Sequence, residues 1–170
     1  MAETRGTMTN MMPCLLDRLT DYYPKAKKES REHRTIRLRQ YRDSVLRDLS
    51  WLLNTGMQPP EEWMEEFDYV RSSVVNYGVK SLAGVWISYG THTAVERRVR
   101  QAILDFEPRI IPSTLEVKVV SNSDADGGAD EYAVVSMQIM GELWALPLPE
   151  RLFVRTEVDL ETGECKVLPM

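Results

Sequence analysis

Cysteine, histidine and long apolar runs are scarce in this sequence, and each scarcity removes a class of function. The two cysteines, Cys14 and Cys165, stand at opposite ends of the 170 residues and form no C-x-x-C pair. Neither a disulfide framework nor a zinc site is supported. The two histidines, His33 and His92, have no triad or metal partner at a recognisable spacing. No glycine-rich phosphate loop is present either, so no cofactor is expected. Met1 is not followed by a charged segment and an apolar export core, and no run of about 18 apolar residues occurs. The expected location is the cytoplasm, without membrane insertion.

What the chain does contain is enough apolar material for a core, 43% of residues, and a length that fits one domain plus a tail. Its net charge of −5 hides an asymmetry. Between Lys25 and Arg42 the cations Lys25, Lys27, Lys28, Arg31, Arg34, Arg37, Arg39 and Arg42 face only Glu29 and Glu32, a net +6 that leaves −11 for the remainder. Such a block attracts acidic partners. Tyr41 is its only interleaved aromatic residue, however, and no nucleic-acid-binding motif follows, so a solvated linker is expected and no nucleic acid.

Helical spacing recurs through the first two thirds. From Pro13, Leu15, Leu16 and Leu19 oppose Asp17, Arg18 and Asp21 in a short amphipathic helix. Tyr41, Val45, Leu49, Leu52 and Leu53 make an apolar stripe with Arg42, Asp43, Arg47 and Asp48 outside, and Asn54-Thr55-Gly56 supplies the stop. A third helix is expected after Pro59-Pro60, with Glu61 and Glu62 at its start and Trp63, Met64, Phe67 and Val70 buried. The chain turns at Asn76-Tyr77-Gly78 and passes through a packed loop over 79–90. It then enters a helix from Thr93 to Phe106, where Thr93 with Glu96 has the form of a capping box.

Beyond Pro112 the period changes to two. Strands are expected near 114–121, 131–141, 151–160 and 164–168, with Glu161-Thr162-Gly163-Glu164 as a hairpin turn. Asp124 to Glu131 only loosely resembles a calcium loop, because Gly128, Ala129 and Val135 stand where Asp or Asn, Gly and Glu are needed. A hairpin connection is the better reading. Helices segregated before strands predict an α+β fold, with N-terminal helices on one face of a small antiparallel sheet that ends in a C-terminal β-hairpin. The expected organisation is a flexible segment over 1–38, holding the short helix and the basic linker, and an α+β domain over 39–170.

Phe106-Glu107-Pro108-Arg109 lies where the helical half must stop. Pro108 has no N–H to donate and pushes Glu107 toward extended geometry. Asp105 and Glu107 face the negative end of the helix dipole, at a cost of roughly 0.3–1 kcal/mol each when exposed. Charge alone favours local compensation by Arg109 or another cation of the same chain. The alternative is that Glu107 and Arg109, held on either side of Pro108, project toward a partner. Catalysis finds less support: Glu61, Glu62, Glu65, Glu66 and Asp68, or one of them with Glu107, supply carboxylates of the kind a muramidase needs, but nothing fixes their separation.

Four motifs, in order, carry a resemblance. Leu15-Leu16-Asp17-Arg18-Leu19 comes first; Ser44-Val45-Leu46-Arg47-Asp48-Leu49 with Leu52-Leu53-Asn54-Thr55 follows; then Ser73-Val74-Val75-Asn76-Tyr77-Gly78 and Ile103-Leu104-Asp105-Phe106-Glu107-Pro108-Arg109. Over residues 13–168 the chain resembles the TssE family, baseplate subunits of type VI secretion related to a lysozyme-like wedge protein of contractile phage tails. The resemblance implies a structural protein and not an enzyme. It implies docking onto the wedge subunits TssF and TssG through Glu107, Pro108 and Arg109, with TssK reached indirectly. It also implies C-terminal strands that meet the sheath subunits TssB and TssC and help start sheath assembly. The loop 79–92, with Trp86 and Tyr89, is richer in aromatic residues than the family pattern suggests.

Overall fold

The computed structural model describes residues 14–20, 24–25, 38–57, 66–67, 69–84, 92–120, 134–145 and 148–169. The expected calcium-like hairpin loop, the basic linker over 26–37, and Trp63, Met64, Trp86 and Tyr89 lie outside them.

Among the described residues three helices precede four strands: α1 (Leu15–Leu19), α2 (Leu38–Asn54), α3 (His92–Phe106), β1 (Glu116–Val120), β2 (Val134–Leu143), β3 (Glu150–Asp159) and β4 (Cys165–Pro169). Short 3-10 turns sit at Val74–Asn76 and Pro112–Thr114. The strands follow one another in a wholly antiparallel sheet of order β1-β2-β3-β4. This is the α+β arrangement that the change of period predicts.

Register explains which face is buried. Val117 stands opposite Ile139 and Ile139 opposite Val154, while Met137 stands opposite Thr156 and Thr156 opposite Val167. Opposed residues share a face, so these rows form one apolar surface. Met137, Ile139, Val154 and Thr156 are completely inaccessible to solvent. Onto this surface α2 brings Tyr41, Val45, Leu49, Leu52 and Leu53, and α3 brings Val95, Val99, Ala102 and Ile103. Each full-sized aliphatic side chain so buried contributes about 1.5–3 kcal/mol of transfer free energy. Thr156 spends its hydroxyl on the Met137 carbonyl (3.3 Å), and burial pushes the neighbouring Cys165 thiol up to about 11, against a lowering hydrogen bond with Thr156.

Two local signals decide how the sheet is approached. Gly141 lies on the inner face opposite Leu152, and a Cβ there would come within 3.3 Å of the Ile110 side chain. The bare backbone lets the segment 110–115 cross closely. The β3–β4 hairpin closes on Gly163, at φ +79°, where the Asp159 carboxylate accepts the N–H groups of Glu161 (2.8 Å) and Thr162 (3.0 Å). Those two backbone donors hold the Asp159 carboxyl below its ordinary range.

Two expectations need correction. The described end of the third helix, 69–72, is turn, and Phe67 is exposed at 55%. Here Ser73 Oγ donates to the Val70 carbonyl (2.8 Å) and Asn76 Nδ2 to that of Arg71 (3.0 Å), so side chains take carbonyls that a helix would use. The capping box is absent because α3 already starts at His92, and Glu96 instead accepts the Val119 N–H of β1 (2.8 Å). The helix α1 forms as expected, but Leu15, Leu16 and Leu19 are all exposed.

Candidate partner-binding site

Where α3 stops, the backbone folds into one tight turn. The Glu107 N–H still donates to the Ile103 carbonyl (2.9 Å), and the Ile110 N–H donates back to the Glu107 carbonyl (3.2 Å). Pro108 occupies the second position of that turn, where its fixed φ is favourable. On the far side the turn is stitched to the end of β2: Trp144 N–H donates to the Arg109 carbonyl (2.8 Å), and Ile111 N–H to that of Glu142 (2.8 Å). Phe106 stacks edge-on against Tyr77, ring centroids 5.2 Å apart. The Asn76-Tyr77-Gly78 and Phe106-Glu107-Pro108-Arg109 motifs therefore meet in space.

The charges of the turn are satisfied within the chain. Glu107 is only 4% exposed, and both its oxygens are engaged. Its Oε1 accepts from Arg109 N–H (3.2 Å) and Nε (2.7 Å), while Oε2 accepts from Nη2 (2.5 Å). A forked guanidinium on a carboxylate is the strongest of the common side-chain pairings. Asp105 is compensated separately by Gln101 Nε2 (2.8 Å). The local pairing that charge alone favours is thus present, and Pro108 remains exposed at its apex.

The second half of this arrangement is not visible in the sequence. Arg109 Nη2 also reaches Asp48 Oδ2 (2.6 Å), and Nη1 donates to Ser44 Oγ (3.2 Å). Asp48 in turn accepts from Arg47 Nε (2.9 Å), and Arg47 pairs with Asp17 of α1 (2.6 Å). Five alternating charges, Glu107, Arg109, Asp48, Arg47 and Asp17, so run from the turn across α2 to α1. The apolar stripe of α2 places Arg47 and Asp48 on its solvent side, whereas here they meet α1 and the turn. The only available signal was the spacing of Ser44 and Asp48, one turn apart on a face adjoining the apolar stripe.

Electrostatics follow from this chain of charges. The bond to Asp17 raises the Arg47 pKa, and for Arg109 the pull of Glu107 and Asp48 outweighs burial, so both stay fully charged. Burial works against ionised Asp17, yet its bonds to Arg47 and Cys14 hold the carboxyl below the ordinary range. Burial also raises Tyr41, whose hydroxyl donates to the Trp144 carbonyl (3.0 Å). Tyr77 is raised too, by burial and then by Asp48 and Glu107. Around the turn the surface is apolar: Trp144 is 59% exposed, and Val74 and Val75 stand out beside Tyr77.

The arrangement is a braced turn with Pro108 exposed at its apex and Trp144 exposed beside it. Among the described residues no group of His, Cys, Asp or Glu is placed to hold a metal ion. Nor, among them, is any helix long and apolar enough to cross a membrane. The chain belongs to the family of the baseplate wedge protein gp25, whose model matches residues 39–148. That family is one of structural baseplate components of phage tail-like machinery. No curated protein matches the chain. The matched span runs from the start of α2 through β2 and contains the whole Glu107-Pro108-Arg109 turn.

Proposed function

We propose that this chain is a cytoplasmic, non-enzymatic baseplate subunit of a type VI secretion machine, with residues 39–170 as its wedge-like domain and 1–38 as a separate leading segment. It docks onto TssF and TssG through Glu107, Pro108 and Arg109, reaches TssK indirectly, and helps start assembly of the TssB and TssC sheath through its C-terminal strands. The observation that carries the docking is the division of labour within the turn. Buried Glu107 fixes the Arg109 guanidinium, Asp48 and Ser44 hold it from the other side, and Pro108 is left outside. A pre-organised surface loses little conformational entropy on binding.

Pro108→Asp tests this without touching the internal pairs, since Asp is compatible with the same turn position. The variant is expected to keep its thermal midpoint and lose co-purification with TssF and TssG; undiminished co-purification would reduce the motif to an internal brace. A muramidase reading is disfavoured because both oxygens of Glu107 are occupied by Arg109. No clearing of a peptidoglycan suspension is expected, and clearing that a single acidic substitution abolishes in a folded variant would reverse this.

A further inference from the structure

Leu52-Leu53-Asn54-Thr55 serves so far only as a helix stop, yet its asparagine reaches the far edge of the sheet. Asn54 Nδ2 donates to the Cys165 carbonyl (2.8 Å), and Asn54 Oδ1 accepts the Cys165 N–H (2.9 Å). The same Nδ2 donates to the Ser50 carbonyl of the last helical turn (2.8 Å). A primary amide has the donor and acceptor of a peptide group, so Asn54 bonds to β4 as one residue of a neighbouring strand would.

Strand geometry shows what this leaves open. In an antiparallel ladder alternate residues turn their backbone groups to the same side. Asp159 N–H bonds to the Glu164 carbonyl (2.9 Å), so β4 pairs with β3 through the even-numbered positions. Cys165, Val167 and Pro169 face the outer edge. Cys165 is occupied by Asn54, and Pro169 has no N–H. An added strand therefore finds the Val167 N–H and carbonyl and the Pro169 carbonyl, three groups where five would exist without the plug. The opposite edge is guarded by charges, with Glu96 on the Val119 N–H (2.8 Å) and Arg100 Nε on the Leu115 carbonyl (3.2 Å).

We propose that Asn54 is a plug on the β4 edge that sets where an extended strand from another chain can pair, admitting it at Val167 and excluding it at Cys165. This rests on the reading that the C-terminal strands accept a partner strand. Unpaired edges invite indiscriminate pairing; a neutral, displaceable amide restricts that pairing while leaving part of the edge available.

The test uses the full chain and a fluorescein-labelled peptide with the sequence of β3, ERLFVRTEVD, the strand that β4 already pairs with. Anisotropy is expected to show Asn54→Ala binding roughly tenfold more tightly than the parent, as expected for two added backbone bonds. Asn54→Asp keeps an acceptor for the Cys165 N–H and frees only the carbonyl, so its gain is about threefold; it carries the test if the alanine variant does not fold. Peptide should slow amide exchange at Val167 in the parent, and at both Cys165 and Val167 in Asn54→Ala. Equal affinity in all three forms would overturn the plug and leave strand acceptance standing. Absence of binding in every form would overturn strand acceptance, and the plug with it.

Discussion

At its middle, α2 meets the Glu107-Pro108-Arg109 turn through ionised Asp48; at its end it meets β4 through the uncharged amide of Asn54. Both contacts join α2 to segments more than fifty residues away in sequence, but they answer removal differently. The Glu107 carboxylate, 4% exposed, has no water to fall back on, so its cation Arg109 is indispensable. The Cys165 backbone groups that Asn54 holds are uncharged, so losing the amide costs a neutral pairing and leaves no buried ion. The turn is held by opposite charges, and the edge by neutral hydrogen bonds.

Arg109→Ala should break that contrast most severely. It strands Glu107 and removes a partner of Asp48, and is expected to cost about 3–5 kcal/mol in urea unfolding. Arg109→Lys keeps a charge but not the fork, and should lose less than half of that. If the two variants proved equally mild, the turn would be as replaceable as the edge. Asn54→Ala comes next, at about 1–2 kcal/mol by the same measurement, since its bonds are neutral and part-buried. A loss as large as that of Arg109→Ala would erase the distinction.

Smallest is the contact of α1. Asp17→Asn removes a pair in which Arg47 remains 30% exposed, and about 0.5–1 kcal/mol is expected. Its pH dependence has a definite sign. The Asp17 carboxyl titrates lower in the folded chain than the free residue, so its contribution is complete above roughly pH 4 and disappears as acid carries the pH down through the lowered value. Following the Asp17 side-chain carbon by NMR checks this: a midpoint at or above that of a free aspartate would mean that α1 is not clipped.

The legibility of these features differs for a physical reason. Periodicity reports burial, so Val45, Leu49, Val99, Ile103 and the alternating strand residues disclosed both the elements and their inward faces. It cannot say that a segment from elsewhere will cover a polar face, and therefore Arg47 and Asp48 read as solvent-facing. Asn54 reads as a helix stop because the β4 edge that it contacts lies 111 positions away. Glu96 reads as part of a cap for the same reason, its true partner being the backbone of β1. In the candidate site, Glu107, Pro108 and Arg109 were found from sequence; Ser44, Asp48, Arg47 and Asp17 needed the fold. The apolar spacing that includes Phe67 does not report burial there, since Phe67 is exposed and the segment 69–72 after it is turn.

Docking through the turn is tested most directly by placing the photo-cross-linker p-benzoylphenylalanine at position 108 in the assembled machine. Irradiation is expected to join the chain covalently to TssF or TssG, with little product when the same reporter stands at Lys118 on the outer face of β1. Product at Lys118 and none at 108 would contradict docking through Glu107, Pro108 and Arg109.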